Sequence, residues 1–158
     1  MRIYRIERQK YLADTLAGIG ASLCSGFRWN SLNTRLVYAA ESRSLALLEV
    51  LVHLDLHEDL PTDRLVVAID VPDELLIEVL SAEDLPSDWH AKPPTQATQL
   101  IGDAFVRAQG AAVLKVPSSI VAGEFNYLIN PSHPAAQHIK VVEHWPLHFD
   151  GRLMGKKG

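Results

Sequence analysis

A chain of 158 residues with 47% apolar and 22% charged residues is long enough for one packed domain and too apolar for a disordered one. Its formal charge of −4 and pI of about 5.9 argue against direct nucleic-acid binding, which requires clustered Lys and Arg. No apolar run reaches the roughly 18 residues of a membrane helix, so we expect no membrane partner.

The cysteine content and the first residues predict the compartment. Cys24 is the only cysteine, so the chain forms no internal disulfide, as is usual in a reducing cytosol. The opening "MRIYRIERQKYLAD" lacks the apolar core of a secretion signal. We therefore expect a cytoplasmic protein, in which Cys24 is more often a packing residue than a nucleophile.

The first third of the chain predicts two strands around a turn, followed by a helix. "RIYRI" alternates and predicts a first strand, and "RQKYLADTLAGIGA" predicts a short helix ending near Gly18 and Gly20. "FRW" and "LVYA" predict strands that flank a turn at "NSLN". An apolar helix pattern then runs from Ser44 to Leu56, with Ser42 or Ser44 as its N-cap.

The remainder predicts short strands and one further helix. "RLVVAIDVP", "LLIEVL", "FNYLINP" and "IKVVEHW" predict strands, "AAVLKVPSSIV" a strand broken by Pro117, and "LPSDWHAKPPTQ" a loop. "TQATQLIGDAFVRAQ" predicts a helix whose apolar side carries Leu100, Ile101, Phe105 and Ala108. Many short strands with few helices predict an α+β domain of mainly antiparallel strands.

The familiar nucleotide-binding, hydrolase and metal motifs are missing from the sequence. It has no GxGxxG, GxxxxGK[ST] or GxSxG. His53 with His57, and His144 with His148, have the spacing of helical metal ligands, but HExxH is absent. Pro146 argues against a helix that aligns the second pair. We therefore expect no metal site.

One carboxylate, Glu49, interrupts the most apolar part of the helix pattern. Its helical neighbours are mostly apolar, with Ser42 and His53 as the polar members of the same face. A thin solvated stripe accounts for this spacing, and spacing alone favours it. The alternative is a carboxylate on the wall of a cleft, where poor solvation strengthens its attraction for a cation.

Arg28 and Tyr38 also allow two interpretations. Arg28 lies between two aromatic residues beside a predicted turn, so it either faces water or holds a phosphate with its planar fork. Tyr38 is either a core residue or an aromatic platform for a flat ring.

Four polar residues near predicted strand ends are candidates of the same kind. They are turn formers or line a cleft, where the asparagines can contact ribose. These residues are Ser118, Ser119, Asn126 and Asn130.

Taken in order, six segments resemble the RES domain, a family named after an arginine, a glutamate and a serine. The segments are "GFRWNS", "VYAAES", "ALLEVLVHL", "LKVPSSIV", "FNYLINPSHP" and "HFDGRL". The resemblance spans about residues 2–153 of one domain, 1–158, and leaves a short basic tail, 154–158. It matches Arg28, Glu49 and Ser118 to the three name-giving residues, with Ser119 the less favoured serine, and it matches Tyr38 to the family's tyrosine.

One departure from the family pattern lies in the predicted turn. Asn33 stands where the family is expected to have glycine. Asparagine tolerates the left-handed backbone conformation better than most residues, so we expect the turn to be kept.

The resemblance implies a fold similar to the ADP-ribosyltransferases and a toxin of a bacterial RES–Xre type toxin–antitoxin pair. Such a toxin consumes NAD as its substrate and needs no further cofactor. Its implied partner is a helix-turn-helix, Xre-like antitoxin that covers the active site, and a toxin homodimer within that complex is left open. Water or phosphate is the expected acceptor of the cleaved ADP-ribosyl group, and a macromolecule is the alternative.

The implied roles follow from the chemistry of NAD. Nicotinamide leaves as a neutral ring, so one carboxylate, Glu49, suffices to stabilise the oxocarbenium-like sugar. Arg28 then clamps the pyrophosphate and Tyr38 stacks on nicotinamide. Ser118 positions the ribose or orients Glu49, and Ser119 and Asn126 are further substrate contacts.

Two alternatives remain open from the sequence. One is an ADP-ribosyltransferase that modifies a macromolecule. The other is a non-catalytic interaction module, in which Arg28 and Glu49 form a structural ion pair.

Overall fold

Seven strands form the centre of the protein, as seen in a computed structural model that describes residues 1–54 and 60–154. The strands are β1 (Arg2–Arg8), β2 (Val37–Ala40), β3 (Arg64–Asp70), β4 (Ile77–Val79), β5 (Val113–Pro117), β6 (Phe125–Ile129) and β7 (Lys140–Pro146). They form one sheet in the order β4-β5-β6-β2-β1-β3-β7. Only β4 and β5 run parallel, and every other neighbouring pair is antiparallel. The prediction of an α+β fold with mainly antiparallel strands is confirmed.

Within residues 1–54 and 60–154, three α-helices accompany the sheet: α1 (Ile19–Ser22), α2 (Arg43–Leu51) and α3 (Gln96–Ala108). The same part of the chain has four short 3₁₀ segments, at Gln9–Asp14, Ala82–Asp84, Pro134–His138 and Gly151–Leu153. Within the described residues, no helix has the length and apolar character needed to cross a membrane.

Alternation along the two central strands creates the face on which the candidate site lies. Val37 and Ala39 of β2 point into a core cluster that also contains alternate residues of β1, β3 and β6. Tyr38 and Ala40 point to the opposite face, where α2 and α3 pack. Because Ala40 is in register with Asn126 of β6, the Asn126 side chain lies on this second face as well.

Helix α2 is fixed to this second face by packing and by its N-cap. Leu45 and Ala46 are buried against Ala40 of β2. Ser42 is the N-cap, since its Oγ accepts a hydrogen bond from Leu45 N at 3.0 Å, which decides between the two predicted serines. The predicted pattern was continuous to Leu56, whereas α2 ends at Leu51. Residues 55–59 and the tail residues 155–158 lie outside the described residues.

The predicted strand at "FRW" is wrong. Residues 24–36, which we call the arginine loop, precede β2 without forming a strand. Its carbonyl groups at Ser25 and Phe27 accept hydrogen bonds from Gln99 Nε2 of α3, at 2.8 and 2.9 Å. Trp29 N donates to the hydroxyl of Tyr38 at 3.2 Å. These backbone groups are satisfied by side chains, so the segment needs no neighbouring strand. The turn is kept, with Asn33 at a φ of 71°.

Two helix predictions also need correction. The predicted helix over "RQKYLADTLAGIGA" is split into a 3₁₀ segment and α1, because Gly18 between them adopts a left-handed φ of 67°. In α3, Leu100 is 51% exposed and Ala108 is exposed. Phe105 is buried and Ile101 packs against the same core cluster, as predicted, and Gly102 is buried where the arginine loop packs closely against the helix.

Candidate active site

A cleft of about 850 Å³ opens on the sheet face that carries Tyr38, Ala40 and Asn126. Glu49 of α2 forms part of one wall and the arginine loop forms part of another. The proline-rich segment 92–94, the segment after β5 and residues of β1 and β3 also line it. The structure therefore brings together most of the residues predicted from the sequence, although they come from distant parts of the chain.

The arginine loop is clamped onto α3. Besides the two hydrogen bonds from Gln99, the Asp103 carboxylate accepts hydrogen bonds from the backbone N and the Oγ of Ser31. A Cβ added to Gly102 would lie only 1.6 Å from the carbonyl oxygen of Trp29, so this contact requires glycine. Because both ends of the loop are held by a rigid helix, Arg28 between them is held in a defined place.

Tyr38 supports the same loop from the sheet. Its hydroxyl donates to Asn30 Oδ1 at 2.6 Å and accepts from Trp29 N at 3.2 Å. Its ring centroid lies 5.1 Å from that of Phe27, and both rings line the cleft. Burial raises the pKa of Tyr38 far above its ordinary value, so the hydroxyl stays protonated and can donate. Tyr38 is thus both a support for the arginine loop and a wall of the cleft.

The Arg28 guanidinium is anchored on one side only. Its Nη1 donates to the carbonyl oxygens of Trp89 at 2.6 Å and Ala91 at 3.1 Å. Burial lowers the pKa of Arg28, while the negative charge of Glu49 acts in the opposite direction. No ion pair joins Arg28 to Glu49. The structural ion pair assumed for a non-catalytic module is therefore not formed, and the other side of the guanidinium has no described hydrogen-bond partner.

Glu49 is not part of a solvated stripe. Its Oε1 accepts a hydrogen bond from Asn126 Nδ2 at 2.6 Å and lies 3.4 Å from the Ser118 hydroxyl. The Ser118 Oγ accepts from the backbone N of Ile120 and of Val121, both at 3.1 Å, which directs its own proton toward Glu49. Glu49 is thus held from the sheet side by two donors, and the interpretation favoured by spacing alone is wrong.

The four polar candidates near strand ends have different positions. Ser118 is only 5% exposed and reaches the cleft through Glu49, whereas its neighbour Ser119 lines the cleft directly. Asn126 also lines the cleft. Asn130 is fully buried and forms a turn, where its Oδ1 accepts from Ser132 N at 3.1 Å.

Several cationic residues of the cleft were missed by the sequence reasoning. Arg5 of β1, Arg64 of β3 and Lys92 of the loop before α3 line it together with Arg28. Arg5 is paired with Glu7 at 3.0 Å and Arg64 with Asp63 at 2.6 Å. Their separation along the chain gave no signal, because only the strand order brings β1, β2 and β3 side by side. The cleft thus combines one carboxylate with a cationic lining, which suits a substrate that is anionic in one part and cationic in another.

The described histidines show no arrangement typical of a metal site. Among the described residues, no group of three or more His, Cys, Asp or Glu side chains is placed to hold a metal ion. His144 lies in β7, so the predicted absence of a helix between His144 and His148 is confirmed. His53 lines the cleft, and His57 lies outside the described residues.

The sequence profile of the RES domain matches residues 2–150. A relative from Sphingobium sp. (strain YBL2), named Prs ADP-ribosylating toxin, is 43% identical over 154 residues, which cover 95% of this chain and 93% of the relative. A protein named Toxin Res from Photorhabdus laumondii is 39% identical over 158 residues and is matched over 99% of both chains.

A solved structure has the same fold. The Mycobacterium tuberculosis MbcT–MbcA toxin–antitoxin complex contains a chain that superposes with a TM-score of 0.72 at 20% sequence identity. The match covers 92% of this chain and 83% of the other.

Proposed function

The chain belongs to the RES domain family, and from that premise we propose that it is a toxin that depletes NAD by cleaving the nicotinamide–ribose bond. The observation that carries this proposal is the position of Glu49. Among the described residues that line the cleft, it is the one carboxylate, and the same lining carries cationic and aromatic side chains among apolar ones. NAD has matching parts: a positively charged ring, a ribose and an anionic pyrophosphate.

The bond that breaks needs little acid–base assistance. The C–N bond between ribose and nicotinamide breaks with its electron pair moving to the ring nitrogen, which becomes neutral. No proton is needed on the leaving group, in contrast to ordinary glycoside hydrolysis with its two carboxylates. The sugar becomes an oxocarbenium-like cation, which a preorganised carboxylate stabilises. Glu49 takes this role, and its hydrogen bonds from Asn126 and Ser118 hold it in place before the charge develops.

The other lining residues position the substrate. Arg28 binds the pyrophosphate with the part of its guanidinium that faces away from Trp89 and Ala91. Tyr38 and Phe27 offer aromatic surface to the nicotinamide ring. Ser119 is a further substrate contact, whereas Ser118 acts by orienting Glu49. Holding the substrate at several points places its reactive carbon against the carboxylate.

The acceptor distinguishes two candidate reactions. In the first candidate, a small molecule captures the sugar cation. Capture by water gives ADP-ribose and a proton, and capture by phosphate gives a phosphorylated ADP-ribose. The second candidate is transfer to a macromolecule, which is favoured by the name of the Sphingobium relative, an ADP-ribosylating toxin. The same cleft serves both reactions, because they differ only after the nicotinamide has left.

A cognate antitoxin is the partner that we propose for this chain. The related structure is a complex of a toxin with its antitoxin, and the curated relatives are named as toxins. On this chain, Val52, which follows α2 at the cleft rim, is 52% exposed, and Leu48 of α2 is 39% exposed, so both offer apolar surface to a partner. We propose that a helix-turn-helix, Xre-like protein covers this rim and that two toxin chains can pair within the complex.

The test is a time course of NAD with the purified protein, in the presence and absence of phosphate, with every product identified. We expect nicotinamide release with formation of ADP-ribose or its phosphorylated form. Label that moves from NAD to a macromolecule supports the transferase candidate instead. Unchanged NAD under all conditions, with folded protein confirmed, contradicts both.

A further inference from the structure

Among the described residues, the carboxylate of Glu49 is held by one of its two oxygens. Oε1 receives the hydrogen bond from Asn126 Nδ2 at 2.6 Å and faces the Ser118 hydroxyl at 3.4 Å. Oε2 accepts no hydrogen bond from the described residues. The described residues thus orient one oxygen of a carboxylate that lines the cleft and donate no hydrogen bond to the other.

Asn126 itself has an unused acceptor. Its Oδ1 is buried and has no hydrogen-bond partner among the described residues. Exchanging the amide nitrogen and oxygen would place Oδ1 against Oε1 of Glu49, which is repulsive, so the NH₂ group must face the carboxylate. A buried acceptor without a donor is destabilising, and it becomes satisfied when a ligand in the cleft donates to it.

The backbone of Asn126 is well suited to a fixed role. It lies in β6, in register with Ala40 of β2 on one side and with Val116 of β5 on the other. Strands on both sides therefore restrain its position, and the small side chain of Ala40 beside it leaves room in the cleft.

We propose that Asn126 is a positioning residue with two functions in one side chain. Its NH₂ group fixes Oε1 of Glu49, and its Oδ1 accepts a hydrogen bond from a hydroxyl of the ribose whose bond is cleaved. This inference rests on the proposed NAD-cleaving function. It explains why a buried amide oxygen beside the carboxylate has no partner among the described residues.

The substitution Asn126→Asp provides a test that depends on pH. Two carboxyl groups in hydrogen-bond contact share one proton when the pH is acidic. In that state the new carboxyl group donates to Oε1 of Glu49 and keeps a carbonyl oxygen as acceptor, so it imitates the amide. As the pH rises the proton leaves, and two negative charges repel each other where the wild type has a hydrogen bond.

Other groups facing the cleft also titrate or carry charge and act on wild type and variant alike. They are Tyr4 and Arg5 of β1, Cys24, Arg28 and Tyr38 around the arginine loop, His53 after α2, Arg64 of β3 and Lys92 before α3. The informative quantity is therefore the ratio of variant to wild-type rate at each pH.

NAD consumption by wild type, Asn126→Asp and Asn126→Ala should be measured from acidic to alkaline pH, with thermal midpoints at the same pH values. We expect Asn126→Ala to lose about 10²-fold in kcat at every pH and to show a raised KM. Asn126→Asp should approach the wild-type rate at the acidic end and lose roughly 10²-fold toward the alkaline end, while remaining folded.

Two outcomes overturn the inference in different ways. If the wild type consumes NAD while Asn126→Asp keeps a constant ratio to it across the pH range, Asn126 does not position Glu49, although the proposed function stands. If the wild type leaves NAD intact, the proposed function fails and this inference fails with it. The Asp variant keeps the test decisive even if the Ala variant does not fold.

Discussion

Arg28 and Tyr38 show how single side chains connect the loop, the sheet and the cleft. The Arg28 guanidinium is fixed by two backbone carbonyl groups through one nitrogen, which leaves a planar group aimed by the loop. Tyr38 joins its hydroxyl to the backbone of Trp29, the next residue along that loop. The orientation of Arg28 therefore depends on contacts that a flexible ammonium group cannot reproduce.

The substitution Arg28→Lys tests this directly. Lysine keeps the positive charge but loses the fork. With two of its three N–H donors on the carbonyl groups, it has one left and cannot hold a pyrophosphate in bidentate fashion. We expect kcat/KM for NAD to fall by about 10- to 100-fold, as for the loss of a charge-assisted hydrogen bond, mainly through KM. Arg107→Lys on the exposed side of α3 is the matched control and should have no effect. Unchanged kinetics in Arg28→Lys would remove this residue from the site.

Tyr38→Phe tests the support of the arginine loop. Removing the hydroxyl leaves Trp29 N and Asn30 Oδ1 without their partner, which should cost about 1–3 kcal/mol of unfolding free energy. Burial raises the pKa of Tyr38, so the folded protein keeps the proton after the unfolded chain has released it. The stabilisation of the folded state by the protonated Tyr38 hydroxyl is therefore complete below about pH 10 and is lost as the pH rises further.

We therefore expect the difference in unfolding free energy between wild type and Tyr38→Phe to be largest at neutral pH and to shrink above about pH 10. Denaturant titrations of both proteins at a series of pH values measure it. A difference that stays constant into the alkaline range would show that the Tyr38 hydroxyl is not buried as described.

At the scale of elements, the contact between α3 and the arginine loop positions the site. Gly102 allows the helix backbone to touch the carbonyl group of Trp29, and Gln99 and Asp103 fasten the loop on either side. Helix propensity alone predicts that alanine at Gly102 stabilises the protein by about 1 kcal/mol. The close packing against Trp29 predicts that the same substitution destabilises the protein. The measured change in stability therefore shows whether helix propensity or the tertiary contact dominates at this position.

Gly102→Ala should lower the thermal midpoint and weaken NAD binding, because the new Cβ displaces the backbone at Trp29 next to Arg28. Gly20→Ala in α1 is the matched control, since a Cβ there meets no atom within 4 Å. We expect the control to be neutral or slightly stabilising. Thermal midpoints and KM values of the two variants provide the comparison, and a stabilised Gly102→Ala would refute the close contact.

The sequence predicted the strands better than the segments between them. The strands β1, β3 and β6 have strong apolar alternation or apolar runs. Such a local pattern predicts a strand without any knowledge of the strand order in the sheet. "FRW" resembles a strand by composition, but Gln99, more than 70 residues away in sequence, supplies its hydrogen-bond partners. On α3, the burial of Phe105 was predicted correctly, but Gly102 was missed because a residue with no side chain gives no apolar signal, although it marks the closest contact with the arginine loop.

At the scale of the whole molecule, the net charge and the local charge of the cleft have opposite signs. The chain carries −4 overall, which predicts no affinity for nucleic acid, yet Arg5, Arg28, Arg64 and Lys92 meet at one cleft. The resemblance to the RES domain led to Arg28, Tyr38 and Glu49, all of which line it. Residue spacing alone could not have identified Glu49 as a site residue, since it favoured a solvated Glu49. The cationic neighbours could not be predicted because they come together through a strand order that no local pattern encodes.

The most direct test of Glu49 as the carboxylate that stabilises the sugar cation is NAD turnover by Glu49→Gln beside the wild type. Glutamine keeps the size and helix preference of the side chain and can still accept from Asn126, so the thermal midpoint should stay close to that of the wild type. Loss of the negative charge should lower kcat by about 10²–10³-fold, or about 3–4 kcal/mol. Glu74→Gln, at an exposed carboxylate, is the control and should behave as wild type. A folded Glu49→Gln that consumes NAD at nearly the wild-type rate would contradict the central claim.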